Sequence, residues 1–65
     1  MKIIVNGDRR TVPDQCTIAD LLQKLDISGR LAVEVNEEIV PRSRFVAYSL
    51  QSNDRVEIVH AIGGG

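Results

Sequence analysis

The chain is almost without aromatic residues. Among its 65 residues there is no Trp, and Phe45 and Tyr48 are the single Phe and Tyr. Its hydrophobic core must therefore consist of aliphatic side chains, mainly Ile, Val and Leu. Because a chain of about this size buries only roughly 60% of its unfolded surface, we expect one small domain.

Long apolar runs and an excess of charge are also lacking. Eight Lys and Arg residues against nine Asp and Glu give a net charge of −1, which provides no basic surface for a nucleic-acid partner. No apolar run approaches the ~20 residues of a membrane-spanning helix, so no membrane partner is expected. The chain shows no export signal, and its single cysteine, Cys16, cannot form an internal disulfide. Both absences favour a cytoplasmic location.

The first half of the sequence predicts a hairpin followed by a short helix. Residues 1–6 alternate as a strand does, Asn6-Gly7 is a hairpin turn signal, and residues 9–12 form the returning strand. Thr17 is the predicted N-cap of the helix, with Asp20 completing a capping box, and Ser28-Gly29 is the expected end. The apolar face of this helix consists of Ile18, Leu21, Leu22 and Leu25.

The second half predicts three more strands. Residues 31–35 alternate, residues 39–40 return as a short strand that Pro41 ends, and residues 42–49 form a loop or single turn. The last strand covers residues 55–62. One helix covers one face of such a sheet, which predicts an α+β fold of two layers. The expected core is Ile3, Val5, Ile18, Leu21, Leu22, Leu25, Val33, Val35, Leu50, Val56 and Ile58.

The chain ends in three glycines, Gly63, Gly64 and Gly65. We therefore divide it into a folded domain, residues 1–62, and a flexible glycine tail, residues 63–65. A terminal carboxylate has a pKa of roughly 3.3–3.7 and is an anion at neutral pH. Glycines without Cβ atoms can thread a narrow channel and carry this carboxylate to an active site on another protein. The simpler interpretation is a frayed end, which is common at chain termini.

Two segments carry a resemblance to a known family. Val35-Asn36-Glu37-Glu38-Ile39-Val40-Pro41-Arg42 and Asn53-Asp54-Arg55-Val56-Glu57-Ile58 resemble the second hairpin and the last turn and strand of the sulfur carrier proteins of thiamine biosynthesis. The resemblance covers essentially the whole chain. It implies the ubiquitin-like β-grasp fold, a mixed sheet of four to five strands with one main helix across one face. Asn53 replaces a frequent Gly of that family, and Gly63 replaces a small residue such as Ala.

The resemblance implies a protein co-substrate, not an enzyme. A partner adenylyltransferase would use ATP and Mg²⁺ to adenylate the carboxylate of Gly65. Sulfur from a cysteine desulfurase would then give a thiocarboxylate, which a thiazole synthase consumes. The chain itself is expected to bind no cofactor and no metal, and it has no G-x-x-x-x-G-K-[ST] phosphate loop.

Four apolar residues are candidates for docking the partner. If Ile3, Val5, Val56 and Ile58 face the helix, the intervening apolar residues of the first and last strands face away from it. In a β-grasp fold these strands are neighbours, so one contiguous patch at the root of the tail is expected, which is typical of an interaction site. The patch consists of Ile4, Val59 and Ala61, and Ile62, which precedes the glycines, is a further docking candidate.

Other residues and functions stay open at this point. Cys16 is interpreted as a semi-buried structural thiol, because reactivity requires a lowered pKa. His60 is interpreted as a packing or surface residue, since no metal-ligand set accompanies it. Three alternative functions remain: the small subunit of molybdopterin synthase, a ubiquitin-like modifier joined to lysines through Gly65, and a β-grasp interaction module with an idle tail.

Overall fold

A computed structural model describes residues 1–60 of the chain. It contains β1 (Lys2–Val5), β2 (Asp8–Thr11), α1 (Ile18–Lys24), β3 (Leu31–Val35), β4 (Glu38–Val40), a 3₁₀ turn (Arg42–Arg44) and β5 (Arg55–His60). The five strands form one sheet in the order β2-β1-β5-β3-β4. β1 and β5 are parallel, whereas the other neighbouring strands are antiparallel. The predicted mixed sheet with a single main helix is confirmed for this part of the chain.

The core lies between α1 and the face of the sheet that α1 covers. Every predicted core residue is buried except Leu25, which is half-buried against the cluster. Four buried residues were not predicted, because they lie at strand ends or in the loops before and after the helix. They are Val12, Cys16, Val40 and Phe45.

The N-terminus of α1 is capped by its own residues and by a distant loop. Thr17 and Asp20 form the predicted capping box, with both side-chain–backbone hydrogen bonds 3.1 Å long. The next free N–H groups, those of Ile18 and Ala19, donate to the carbonyl oxygens of Tyr48 and Phe45, each at 3.1 Å. The loop that follows the 3₁₀ turn is therefore fixed by the start of the helix.

The C-terminus of α1 differs from the prediction. The helix ends at Lys24 and not at Ser28-Gly29. Asp26 adopts φ +56°, its N–H donates to Gln23 at 3.1 Å, and the N–H of Ile27 donates to Leu22 at 3.0 Å. This is the Schellman arrangement, in which a left-handed residue turns the chain away and satisfies the last carbonyls. Asp26 occupies the left-handed position that Gly usually holds, so the sequence gave no signal that the helix ends at this point.

β5 is the central strand of the sheet and leads toward the glycine tail. It pairs with β3 over Val56 to His60 and with β1 over Arg55 and Val56. The predicted last strand is confirmed up to His60, and residues 61–65 lie outside the described part of the chain. β5 is thus paired with β3 up to His60 but with β1 only at its start.

Candidate functional site

The site predicted from the sequence has two parts, the tail and the docking residues near its root. Residues 61–65, which include Ala61, Ile62 and the three glycines, lie outside the described residues, so the predictions for them stay predictions. The last described residue, His60, is exposed and lies opposite Leu31 of β3. The described part of the chain therefore ends on the central strand, with Ala61 and Ile62 between it and the tail sequence.

Ile4 and Val59 both lie on the open face, the face of the sheet that α1 does not cover. Val59 is 59% exposed and lies opposite Ala32 of β3. Ile4 is half-buried and lies between Arg9 of β2 and Arg55 of β5. The expectation that their strands are neighbours and that both residues face away from the helix is correct.

The expectation of one contiguous patch, however, is corrected by the strand register. Ile4 is level with Arg55, four positions before Val59 on β5, which corresponds to about 13 Å along a strand. Glu57 lies between them on the same face, directly opposite Glu34. Ile4 and Val59 are therefore separated by charged side chains.

Toward β4, Val59 lies opposite Ala32, and a further exposed apolar residue, Ile39, lies on the next strand. Ile39 is 74% exposed and pairs with Glu34, which places it on the open face and diagonal to Ala32. We call Ala32, Ile39 and Val59 the Val59 patch. Ile39 was not predicted as a docking residue because its strand is only three residues long; its alternation with buried Val40 was the available signal.

Cys16 is more deeply buried than expected. Its side chain is 3% exposed, and its Sγ donates a weak hydrogen bond to the carbonyl of Thr17 at 3.5 Å. Burial raises the pKa of the Cys16 thiol, and the nearby Asp20 carboxylate adds to this, while Lys24 opposes it. A protonated thiol is a poor nucleophile, so this environment does not favour Cys16 as a second sulfur site.

The rate of alkylation measures the reactivity of the Cys16 thiol directly. We expect iodoacetamide to modify Cys16 in the native chain at least about a hundredfold more slowly than in urea, because the thiolate is both scarce and covered. The sign for stability follows from the raised pKa: the folded form keeps its proton longer than the unfolded form, so stability falls as pH rises above the unfolded thiol pKa. Native alkylation at the unfolded rate would contradict the burial of this thiol.

Residues 1–60 hold no set of three His, Cys, Asp or Glu side chains that could ligate a metal ion. Within the same range, no helix is long and apolar enough to cross a membrane.

Comparison with known proteins identifies the family. The family model described as the ThiS family matches residues 3–65, which is nearly the whole chain and includes the three glycines. The chain belongs to the ThiS family. The resemblance found in the sequence is thereby confirmed, and so is the β-grasp fold that it implied.

Individual proteins similar to this chain support the assignment to the ThiS family. The sulfur carrier protein ThiS of Bacillus subtilis is 38% identical over 63 residues, covering 94% of this chain and 96% of that protein. The crystal structure of a thiamine biosynthesis protein (ThiS) from Geobacter metallireducens superposes with a TM-score of 0.87 at 32% identity and full coverage of both chains. A thiazole synthase of Paramagnetospirillum magneticum is 41% identical over the whole chain, which spans only 20% of that protein.

Proposed function

We propose that this chain is a sulfur carrier protein of thiamine biosynthesis that carries sulfur as a thiocarboxylate on Gly65. The observation that carries the proposal is the match to the ThiS family over residues 3–65, which includes the terminal glycines. In this proposal the chain acts as a protein co-substrate on which partner enzymes act. Molybdopterin synthase subunits and protein modifiers share this kind of tail, but the family match favours the sulfur carrier.

The chemistry requires activation by a partner. A carboxylate is a poor electrophile, because it is anionic and resonance-stabilised. An adenylyltransferase using ATP and Mg²⁺ converts the Gly65 carboxylate into an acyl-adenylate and releases pyrophosphate; AMP is then a good leaving group. The outer sulfur of a cysteine persulfide, formed by a cysteine desulfurase or supplied by another sulfur source, displaces AMP and gives an acyl disulfide. A thiol such as free cysteine reduces the S–S bond, is itself oxidised to a disulfide, and leaves the thiocarboxylate on Gly65.

The length of the tail limits where the partner can dock. Five residues follow His60 in the sequence, and a fully extended segment of this length spans at most roughly 16–18 Å. The partner must therefore hold the folded domain within that distance of the ATP α-phosphate. Val59 lies four positions before Gly63 in the sequence, so the Val59 patch is the apolar surface best placed for this contact.

The acceptor of the sulfur is proposed to be a thiazole synthase. A segment similar to this chain occurs within a much longer protein of that name, which places a carrier-like domain and the remainder of that protein in one polypeptide. Gly63 and Gly64 would thread the active site in either partner.

Intact mass spectrometry tests the proposed function. The chain is incubated with the adenylyltransferase of its own organism, Mg-ATP, a cysteine desulfurase and cysteine. We expect a mass gain equal to the difference between sulfur and oxygen, mapped to Gly65, and no gain without ATP. Conjugation to protein lysines, or an unchanged mass with a partner that is active on another carrier, would refute the sulfur-carrier function.

Substitution at Val59 tests the docking surface. We expect Val59→Lys to weaken binding to the adenylyltransferase by about tenfold or more, because it places an uncompensated charge in an apolar contact. Val46→Lys is the matched control, since Val46 is 78% exposed but lines a groove beside α1, away from the open face. Titration calorimetry gives the affinities, and circular dichroism verifies the fold.

Ile4 is tested in the same series. Ile4→Lys introduces a third cation between Arg9 and Arg55, so weaker binding of this variant alone would move the interface to the β1 side of the sheet. Equal affinity of the Val59 and Val46 variants would remove the Val59 patch from the site.

A further inference from the structure

The two strands that flank β5 support its last residues unequally. On the β3 side, cross-strand pairs continue to His60. On the β1 side, strand pairing ends at Val5 opposite Val56, because the chain then turns into the first hairpin. Within the described residues, β5 therefore extends beyond its parallel neighbour shortly before the tail begins.

The Asn6 side chain fills the next position of the parallel ladder. The backbone N–H of Asn6 still donates to the carbonyl of Val56 at 2.9 Å. Asn6 then adopts φ +48° to begin the turn, so its own carbonyl is not available as the next acceptor in a parallel pattern. Instead, Oδ1 of Asn6 accepts the N–H of Ile58 at 2.8 Å, and Nδ2 donates to the carbonyl of Ile58 at 3.2 Å.

This pair of hydrogen bonds has only one consistent orientation. Exchanging the amide nitrogen and oxygen of Asn6 would put an N–H against an N–H and two oxygens together. The amide thus mimics a backbone peptide group and holds β5 two residues before its last described residue. Asn also tolerates the left-handed backbone that the turn requires, so one residue serves both purposes.

We infer that Asn6 is a positioning residue for the carrier reaction: its side-chain amide fixes Ile58 near the end of β5 and thereby positions the strand that leads to the tail sequence. The inference rests on the proposed function. Without this clamp, β5 would be held only by β3 from Glu57 onward, and the partner would have to order this end of the strand on binding. That cost reduces the affinity for the carrier while leaving the chemistry of a bound carrier unchanged.

The chain offers a matched control at the other end of β5. Asn36 has φ +53° and also follows a strand end. Its Oδ1 accepts the N–H of Arg55 at 3.0 Å, and its Nδ2 donates to the carboxylate of Asp54 at 3.0 Å. Asn36 therefore clamps the start of β5, remote from the tail. Gly adopts both backbone conformations freely, so Asn6→Gly and Asn36→Gly remove one clamp each without backbone strain.

The first measurement is amide hydrogen exchange on the isolated chain. We expect Asn6→Gly to raise the exchange rate of the Ile58 amide about tenfold or more relative to Asn36→Gly, after correction for global stability. Asn6→Asp retains the acceptor for this N–H but loses the donor to the Ile58 carbonyl, so an intermediate rate is expected. Equal Ile58 rates in the two Gly variants would overturn the clamp itself.

The second measurement is steady-state adenylation, with the chain as varied substrate of its adenylyltransferase. We expect about a tenfold higher KM for Asn6→Gly than for Asn36→Gly, with kcat unchanged, because a merely structural role moves neither value while the chain is folded. Faster Ile58 exchange without a change in KM would overturn the positioning role. Failure of the wild-type chain to be adenylated would instead overturn the proposed function and leave the exchange result standing.

Discussion

Leu21→Ala is expected to lower the free energy of unfolding by about 2–5 kcal/mol. Leu21 is 1% exposed and lies on the face of α1 that packs against the sheet, so truncation leaves a cavity in the middle of the only core in residues 1–60. A chain of this length has a total stability of roughly 3–10 kcal/mol. The substitution therefore removes a large share of it, and Tm should fall by about 10 °C or more.

Urea unfolding followed by circular dichroism measures this loss. Leu25→Ala is the matched control, because Leu25 lies on the same face at the C-terminal end of the helix but is only half-buried. Its loss should be below about 2 kcal/mol, since fewer contacts are removed. A midpoint for Leu21→Ala equal to that of the wild type, or equal losses at the two positions, would contradict the core described here.

Much of the fold could be predicted because local patterns and tertiary structure agree. The capping box at Thr17 and Asp20, the helix face and the Asn6-Gly7 turn are all signals within a few residues of each other, and all are present in the structure. The Asn6-Gly7 turn has φ values of +48° and +87°, as the hairpin signal requires. Such short-range signals depend little on the rest of the chain.

The structural features that were not predicted from the sequence depend on long-range contacts. The loop after the 3₁₀ turn shows no strand or helix periodicity in its sequence. Its carbonyl oxygens accept hydrogen bonds from the first turn of α1, and Phe45 is buried there. Likewise, the separation of Ile4 from Val59 follows from the parallel register between β1 and β5. Register between strands at opposite ends of the chain leaves no local mark in a sequence.

The candidate site could also be predicted from the sequence only in part. The glycine tail was visible from composition alone, and so was the open-face position of Val59 from alternation. The contribution of Ile39 requires knowing that β4 lies beside β3 in a register that puts it diagonal to Ala32. The clamp formed by Asn6 required the structure, because a turn residue gives no sign that its side chain bonds to Ile58, distant in the sequence.

Deleting Gly65 is expected to suppress sulfur loading by about a hundredfold or more while leaving the unfolding midpoint unchanged. The deletion withdraws the carboxylate by up to roughly 3.3–3.6 Å. Misplacement of a reacting group by about 1 Å already costs on the order of a hundredfold in rate. Gly64 would still present a carboxylate, so the loss would measure the position of the reacting group and not its chemical identity.

Gly63→Ala is the control for this deletion, because it keeps the length of the tail and adds one methyl group away from the reacting carboxylate. We expect this variant to gain the mass difference between sulfur and oxygen at close to the wild-type rate in the intact-mass assay. Since the tail follows a strand held by β1 and β3, neither change should alter the core, and matching urea midpoints would verify this. Loading of the Gly65 deletion at the wild-type rate, or sulfur found on Cys16, would show that the carboxylate of Gly65 is not the carrier group.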